Sequence, residues 1–137
     1  MIRLLVKYVR EELDVLYRSY LTNDAQGAKK DLTASVELLM PLTNSALIDV
    51  SEGLWLVYAR LYCIENEIGD TNRAAKSFED ARHWYAISKR HRVANEGLAP
   101  EKMREAVAGF TEEKCKRDVI EWDEAFTKGK GAPYMQN

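Results

Sequence analysis

The two histidines, His83 and His91, are the first residues to consider for metal or acid–base chemistry. On a helix they would lie about two turns apart and roughly 80° around the axis from each other, too far to share one metal ion. Glu79 and His83 have the i,i+4 spacing that a shared metal needs. No third ligand is near them in the sequence, so we interpret this pair as a solvated helical contact and predict no metal site.

The segment SKRHR, residues 88–92, is the one basic cluster of the chain. It could bind nucleic acid or phosphate, in which case Arg82 would act together with residues 89–92. We prefer to interpret it as a solvated helix end, whose cations interact favourably with the helix dipole. The formal charge of the whole chain is −2 at pH 7, so no general field attracts nucleic acid. We therefore do not expect nucleic acid as a partner.

Other catalytic signatures are missing from the sequence: it contains no GxSxG, P-loop, dinucleotide-binding glycine or HExxH motif. The carboxylates of segments 101–107 and 112–124 alternate with cations at helical spacing, which is typical of a solubilising surface. Cys63 and Cys115 have no CxxC spacing, and we predict free thiols in a reducing compartment. A disulfide between them stays open if the protein is exported. We predict a cytoplasmic protein with no enzymatic activity and no cofactor.

Length and composition are those of one folded domain. The chain has 137 residues, of which 46% are hydrophobic and 31% charged, and only three are proline. A chain of this size buries about two thirds of the surface that it exposes when unfolded. We predict a single helical domain over residues 1–127 and a flexible C-terminal tail over residues 128–137. The first residues have too short an apolar run for a signal peptide or a membrane span, so we expect no membrane partner.

Apolar residues recur at three- and four-residue steps along most of the chain, which predicts an all-α fold of about five helices. We expect Gly69 to end one helix in the left-handed conformation and Asp70 or Thr71 to cap the next. Gly109 and Thr111 fall where the apolar face shifts, so a break or bend is expected there. The predicted helices cover about 2–21, 24–39, 46–68, 71–97, and a fifth that begins at Pro100.

Two segments of the chain, residues 23–35 and 69–81, align without gaps. In each, a small residue at a helix crossing lets two backbones approach, and a large apolar residue one turn later fills the space between them. The matched residues are Asp24, Ala28, Leu32 and Ser35 in the first segment and Asp70, Ala74, Phe78 and Ala81 in the second.

The stretch from Trp55 to Ala81 resembles a tetratricopeptide (TPR) repeat. The residues that resemble the TPR pattern are Trp55, Tyr58, Ala59 and Tyr62 in the first helix, Gly69-Asp70 in the turn, and Ala74, Phe78 and Ala81 in the second helix. The first helix is about three residues longer than in a usual repeat, and Tyr58 stands where the pattern has leucine. The earlier segment matches only in its second helix. An up-down helix bundle is the alternative fold.

The resemblance implies a groove, lined by one edge of each first helix, that binds a peptide or a partner helix. The edge residues are Leu56, Arg60 and Cys63 in one hairpin and Arg10, Asp14 and Tyr17 in the other. We interpret Trp55, Tyr58 and Tyr62 as core residues. The predicted function is a non-catalytic protein–protein interaction module, an adaptor or chaperone that binds a partner protein segment. The alternatives are an immunity-type inhibitor that plugs a toxin enzyme and a nucleic-acid-associated regulator using residues 88–92. Two hairpins are few for a helical stack, so a homodimer is left open.

Overall fold

The computed structural model describes residues 11, 24–45 and 48–125. Within these residues the fold is all-α and contains no strand, which confirms the predicted fold class. The helices are α1 (Ala25–Leu39), a 3₁₀ helix (Met40–Ser45), α2 (Ile48–Glu67), α3 (Thr71–Glu96), α4 (Pro100–Ala108) and α5 (Glu112–Ala125). Apart from Glu11, which is helical, the helix predicted over 2–21 lies outside the described residues, as does the tail predicted over 128–137.

Asp24 caps the start of helix α1. The Asp24 side chain accepts a hydrogen bond of 2.8 Å from the backbone N–H of Gly27, which satisfies one of the free donors at the helix start. Its buried stripe then follows helical spacing along one face and packs on α2. That stripe consists of Ala28, Leu32, Ser35 and Leu39.

The turn between α2 and α3 is closed by Gly69 and Asp70. Gly69 has a φ of 85°, which L-residues with a side chain rarely adopt, and no atom lies near the position of its missing Cβ. The backbone N–H of Asp70 donates to the carbonyl of Glu65 at 2.9 Å. The Asp70 carboxylate in turn accepts from the N–H of Arg73 at 3.3 Å. Both predicted roles, the helix stop and the cap, are confirmed.

The seam between α2 and α3 is built from small residues and aromatic rings. Ala59, Ala74 and Ala81 are buried at the crossing, where they let the two helices approach closely. Trp55 and Tyr85 meet across the seam, edge to face, with ring centroids 5.2 Å apart. The predicted helix–helix seam is therefore confirmed.

The predicted break near Gly109 is also confirmed, and it separates α4 from α5. Thr111 restarts the helix, because its Oγ1 accepts from the N–H of Lys114 at 3.2 Å. Phe110 lies in this turn and is buried against Tyr85, with ring centroids 4.6 Å apart. The turn thus folds the chain back, so that α5 packs along α2, where Trp122 lies 5.2 Å from the ring of Trp55.

Candidate functional site

The predicted groove residues are placed mostly in the interior. Leu56 is fully buried, the side chain of Arg60 is 1% exposed, and Cys63 is partly buried. The other three, Arg10, Asp14 and Tyr17, lie outside the described residues. Leu56 and Arg60 were predicted on an open edge of α2, and the structure places neither of them there.

The buried Arg60 is paired with helix α5. Its Nε donates to the Asp123 carboxylate at 2.9 Å, and its Nη2 lies 2.8 Å from the same oxygen. A guanidinium is tolerated inside a protein only when it is paired in this way. Arg60 therefore joins α2 to α5, and a substitution there would disturb the fold before it reported on any partner.

Burial also governs the chemistry of the two cysteines, which are both free thiols. Desolvation raises the pKa of Cys63 to about 11. It raises the pKa of Cys115 further, to about 12. Because the thiolate is the reactive form of cysteine, both side chains are protonated and unreactive near neutral pH.

We expect iodoacetamide at pH 8 to label Cys63 about 100-fold more slowly in the folded protein than in the unfolded chain, because the raised pKa lowers the thiolate fraction by that factor. Fully buried Cys115 should be labelled only after global unfolding. Because the fold favours the protonated thiols, they stabilise the folded state. This contribution is complete below their ordinary pKa of 9.0 and is lost as the pH rises through about 11 and 12. Mass spectrometry measures the labelling rate of each cysteine with and without urea. Equal rates in the folded and the unfolded protein would contradict the expectation.

Three helices enclose a groove of about 490 Å³, which we call the α1–α3 groove. Val36 from α1 and Leu61 and Tyr58 from α2 give it an apolar side. The remaining lining residues are polar or charged: Lys29, Thr33, Glu65, Asn72, Arg73, Lys76, Ser77 and Asp80. Its lining therefore combines apolar surface with donors and acceptors.

The floor of the α1–α3 groove is fixed by the Glu65 carboxylate, on a residue only 3% exposed. Ser77 of α3 donates its hydroxyl to Glu65 Oε1. Lys29 of α1 places its Nζ 3.4 Å from Oε2. One carboxylate thus ties together all three helices around the groove, and a buried carboxylate with these partners rigidifies its surroundings.

The rim of the α1–α3 groove carries charged side chains whose ion pairs lie on the protein surface. Lys76 and Asp80 form an ion pair at 2.7 Å on the surface of α3. Arg73 is mostly exposed and lies 3.9 Å from Asp70. Burial, and then the nearby Asp80 carboxylate, raise the pKa of Tyr58, whose phenol is a hydrogen-bond donor at neutral pH. Such a surface suits binding, because exposed ion pairs exchange partners at little cost.

The basic segment 88–92 is divided between the interior and the surface. Ser88 is fully buried and donates to Glu52 Oε1 at 2.9 Å. Arg92 donates to the same oxygen from Nη2 at 2.7 Å. The interpretation as a solvated helix end is therefore wrong for Ser88 and incomplete for Arg92. They lie one turn apart on α3, on the side that faces the Glu52 carboxylate of α2.

Lys89, in the same segment, is also engaged. Its Nζ lies 5.0 Å from the centroid of the Tyr85 ring, within the range of a cation–π contact. Burial lowers the pKa of Lys89. Arg90 is exposed, so the segment presents a much smaller basic surface than its sequence suggests.

Sequence reasoning missed the two carboxylates that organise the hairpin, Glu52 and Glu65. Both lie on α2, and each is met by a serine of α3, Ser88 and Ser77 respectively. A usable signal is present in the sequence. Both glutamates belong to a largely apolar helix. Glu52 and Ser88 each stand 18 residues from Asp70, on opposite sides of it, and Glu65 and Ser77 stand 5 and 7 residues from it.

No known protein family, curated protein or solved structure matches this chain. Across residues 24–45 and 48–125, no three His, Cys, Asp or Glu side chains cluster in a way that would hold a metal ion. No helix in the described part of the chain combines the length and the apolar character needed to cross a bilayer.

Proposed function

We propose that this protein is a non-catalytic interaction module and that its α1–α3 groove binds a segment of a partner protein. The groove itself is the observation that carries the proposal: three helices, joined by the buried Glu65, surround an open site of about 490 Å³. The proposal keeps the TPR-like interpretation of the α2–α3 hairpin. It assigns the binding residues to α1 and α3 as well as α2, because Leu56 and Arg60 are buried.

The lining indicates what the partner segment contributes. An apolar side chain of the partner would pack on Val36 and Leu61, where it removes apolar surface from water. A carboxylate or carbonyl of the partner would accept hydrogen bonds from Arg73 and Lys76. Both cations are at least 70% exposed, and their present ion pairs lie on the surface. Breaking those ion pairs in order to bind a partner therefore costs little free energy.

A photo-crosslinking amino acid placed at Thr33 or Asn72, both exposed residues of the groove, tests the proposal in the native host. We expect the same discrete protein adduct from both positions. Matched probes at Glu105 and Glu113, which are exposed but outside the groove, should give none of it. A partner in the groove contacts only the first two positions.

A charge-reversal variant sharpens this test. Replacing Arg73 and Lys76 together by Glu should weaken the Thr33 adduct about tenfold, because two attractive contacts become repulsive. Circular dichroism confirms that the variant is folded. Equal adducts at groove and control positions, or none at the groove positions, would refute the proposal. The identity of the adduct separates an adaptor or chaperone from an immunity-type inhibitor, whose adduct is a toxin enzyme.

A further inference from the structure

A second cleft, of about 290 Å³, lies between α3 and α4, and it is lined by three arginines. Arg82 and Arg90 belong to α3, and Arg104 reaches the cleft from α4. The wall between them is apolar and includes Ala86, Met103 and Val107. We call this site the arginine cleft; it shares no lining residue with the α1–α3 groove.

The positive charge of the arginine cleft is only partly neutralised by the residues that the structure describes. Neither Arg82 nor Arg90 forms an ion pair with any residue that the structure describes. Arg104 lies 3.8 Å from Glu101, and both of those side chains are about two thirds exposed or more. No carboxylate lines the cleft. Three converging cations, of which only Arg104 has a carboxylate partner among the described residues, favour an anionic ligand.

The spacing of the cleft residues indicates the form of that ligand. Arg82, Ala86 and Arg90 stand at i, i+4 and i+8 on α3, so they lie within an arc of roughly 80° on one side of the helix and span about 12 Å along it. The small Ala86 leaves room between the two arginines, next to Met103. A partner helix that runs along α3 has the same helical repeat as α3. Its side chains at i, i+4 and i+8 can therefore face Arg82, Ala86 and Arg90.

The size and lining of the cleft separate this ligand from others. Its volume of about 290 Å³ is at or below the range of pockets that enclose a whole small molecule. It does accommodate an apolar side chain. Single-stranded nucleic acid binds by stacking its bases on aromatic rings, and no aromatic residue lines this cleft.

We propose that the arginine cleft binds an acidic helical segment of a partner protein. Two carboxylates of that segment, two turns apart, pair with Arg82 and Arg90. One apolar side chain between them packs against Ala86 and Met103. This surface is independent of the α1–α3 groove, and its test does not depend on the function proposed for that groove.

Two synthetic peptides test the proposal by fluorescence anisotropy with the full-length protein. The first is a fluorescein-labelled Ala/Gln helix with Glu, Leu and Glu at positions i, i+4 and i+8. The second has the same composition, but its Leu is on the opposite face and its two Glu are adjacent. We expect the patterned peptide to bind about tenfold more tightly than the permuted one, because only it pairs both arginines while burying its Leu.

Protein variants assign the binding to the cleft. Replacing Arg82 and Arg90 by Gln should weaken the patterned peptide about tenfold. Replacing Lys102 and Arg117, which are exposed and line neither the cleft nor the α1–α3 groove, by Gln should leave binding unchanged. Ala86→Leu keeps every charge but fills the space between the arginines, so it should also weaken binding. Circular dichroism checks the fold of each variant.

The proposal is overturned by any of four results. Absent or equal binding of the two peptides would indicate no recognition or unspecific charge attraction. Tighter binding of a single-stranded oligonucleotide through Arg82 and Arg90 would make the cleft a nucleic-acid site. Displacement of the peptide by an equal concentration of inorganic phosphate would make it a small-anion site. Self-association in the ultracentrifuge that the Arg82→Gln, Arg90→Gln variant abolishes would make a second copy the occupant.

Discussion

Replacing Trp55 by Ala is expected to lower the free energy of unfolding by about 4 kcal/mol, at the upper end of what a single core truncation costs. The indole is 3% exposed and lies where three helices and a turn meet. Its ring centroid is 5.2 Å from Tyr85, 5.9 Å from Phe110 and 5.2 Å from Trp122. Removing it leaves a cavity bounded by rings on several elements, which cannot all move inward to fill it.

Two further variants show what the indole contributes. Trp55→Phe keeps an aromatic ring but removes the hydrogen bond of 3.1 Å from Nε1 to Glu52, so it should cost about 1–2 kcal/mol. Trp84→Ala removes the same side-chain volume from a partly exposed position and should cost less than half as much as Trp55→Ala. Urea denaturation followed by circular dichroism measures the free energy of unfolding of all three variants. The values are compared on the condition that the m-value does not change. Similar losses for Trp84→Ala and Trp55→Ala would show that the indole is not central to the core.

Replacing Glu52 by Ala should cost about 3 kcal/mol, although Glu52 is a charged residue. It is 9% exposed, and its carboxylate accepts hydrogen bonds from Trp55, Ser88 and Arg92. The truncation leaves the buried donors of Trp55 and Ser88 without a partner, and each such group costs about 1–3 kcal/mol. Arg92 adds less, because it is partly exposed and also pairs with Glu96 at 2.8 Å.

The Glu52 prediction has a matched control in Glu105, an exposed helical glutamate. Glu105→Ala should change the free energy of unfolding by less than about 0.5 kcal/mol. Glu52→Gln keeps the shape and one acceptor, so its cost should fall between those of the two alanine variants. A double-mutant cycle with Arg92→Ala measures the coupling across the hairpin. If Glu52→Ala were as mild as Glu105→Ala, Glu52 could not be one of the groups that join α2 to α3.

Local signals in the sequence predicted the helices well. Asp24, Gly69 and Pro100 act through their own backbone neighbours, so each marks a helix boundary without knowledge of the rest of the fold. The helix predicted over 71–97 is observed as Thr71–Glu96, and the one over 46–68 as Ile48–Glu67. The contact between these two helices was predicted from the spacing of small and large residues on both helices.

Contacts between distant elements decide which surfaces are open, and these could not be predicted from the sequence. Arg60 was interpreted as an exposed groove residue, because nothing near it in the chain indicates that Asp123 covers it. Glu52 and Glu65 stand out in the sequence only as charged residues of a largely apolar helix, and the serines that bind them are identified only once α3 packs on α2. Likewise, the convergence of Arg104 with Arg82 depends on the turn at Gly97, which has a φ of 71°.

The α2–α3 hairpin also has a consequence for the order of folding. Its two helices are consecutive and joined by a three-residue turn, so closing this contact costs little loop entropy and can occur early. The pairing of Arg60 with Asp123 spans 63 positions of the chain and needs α5. During synthesis the hairpin emerges before α5, so the Arg60 guanidinium has not yet met the Asp123 carboxylate. Docking of α5 then supplies the carboxylate that pairs with this guanidinium.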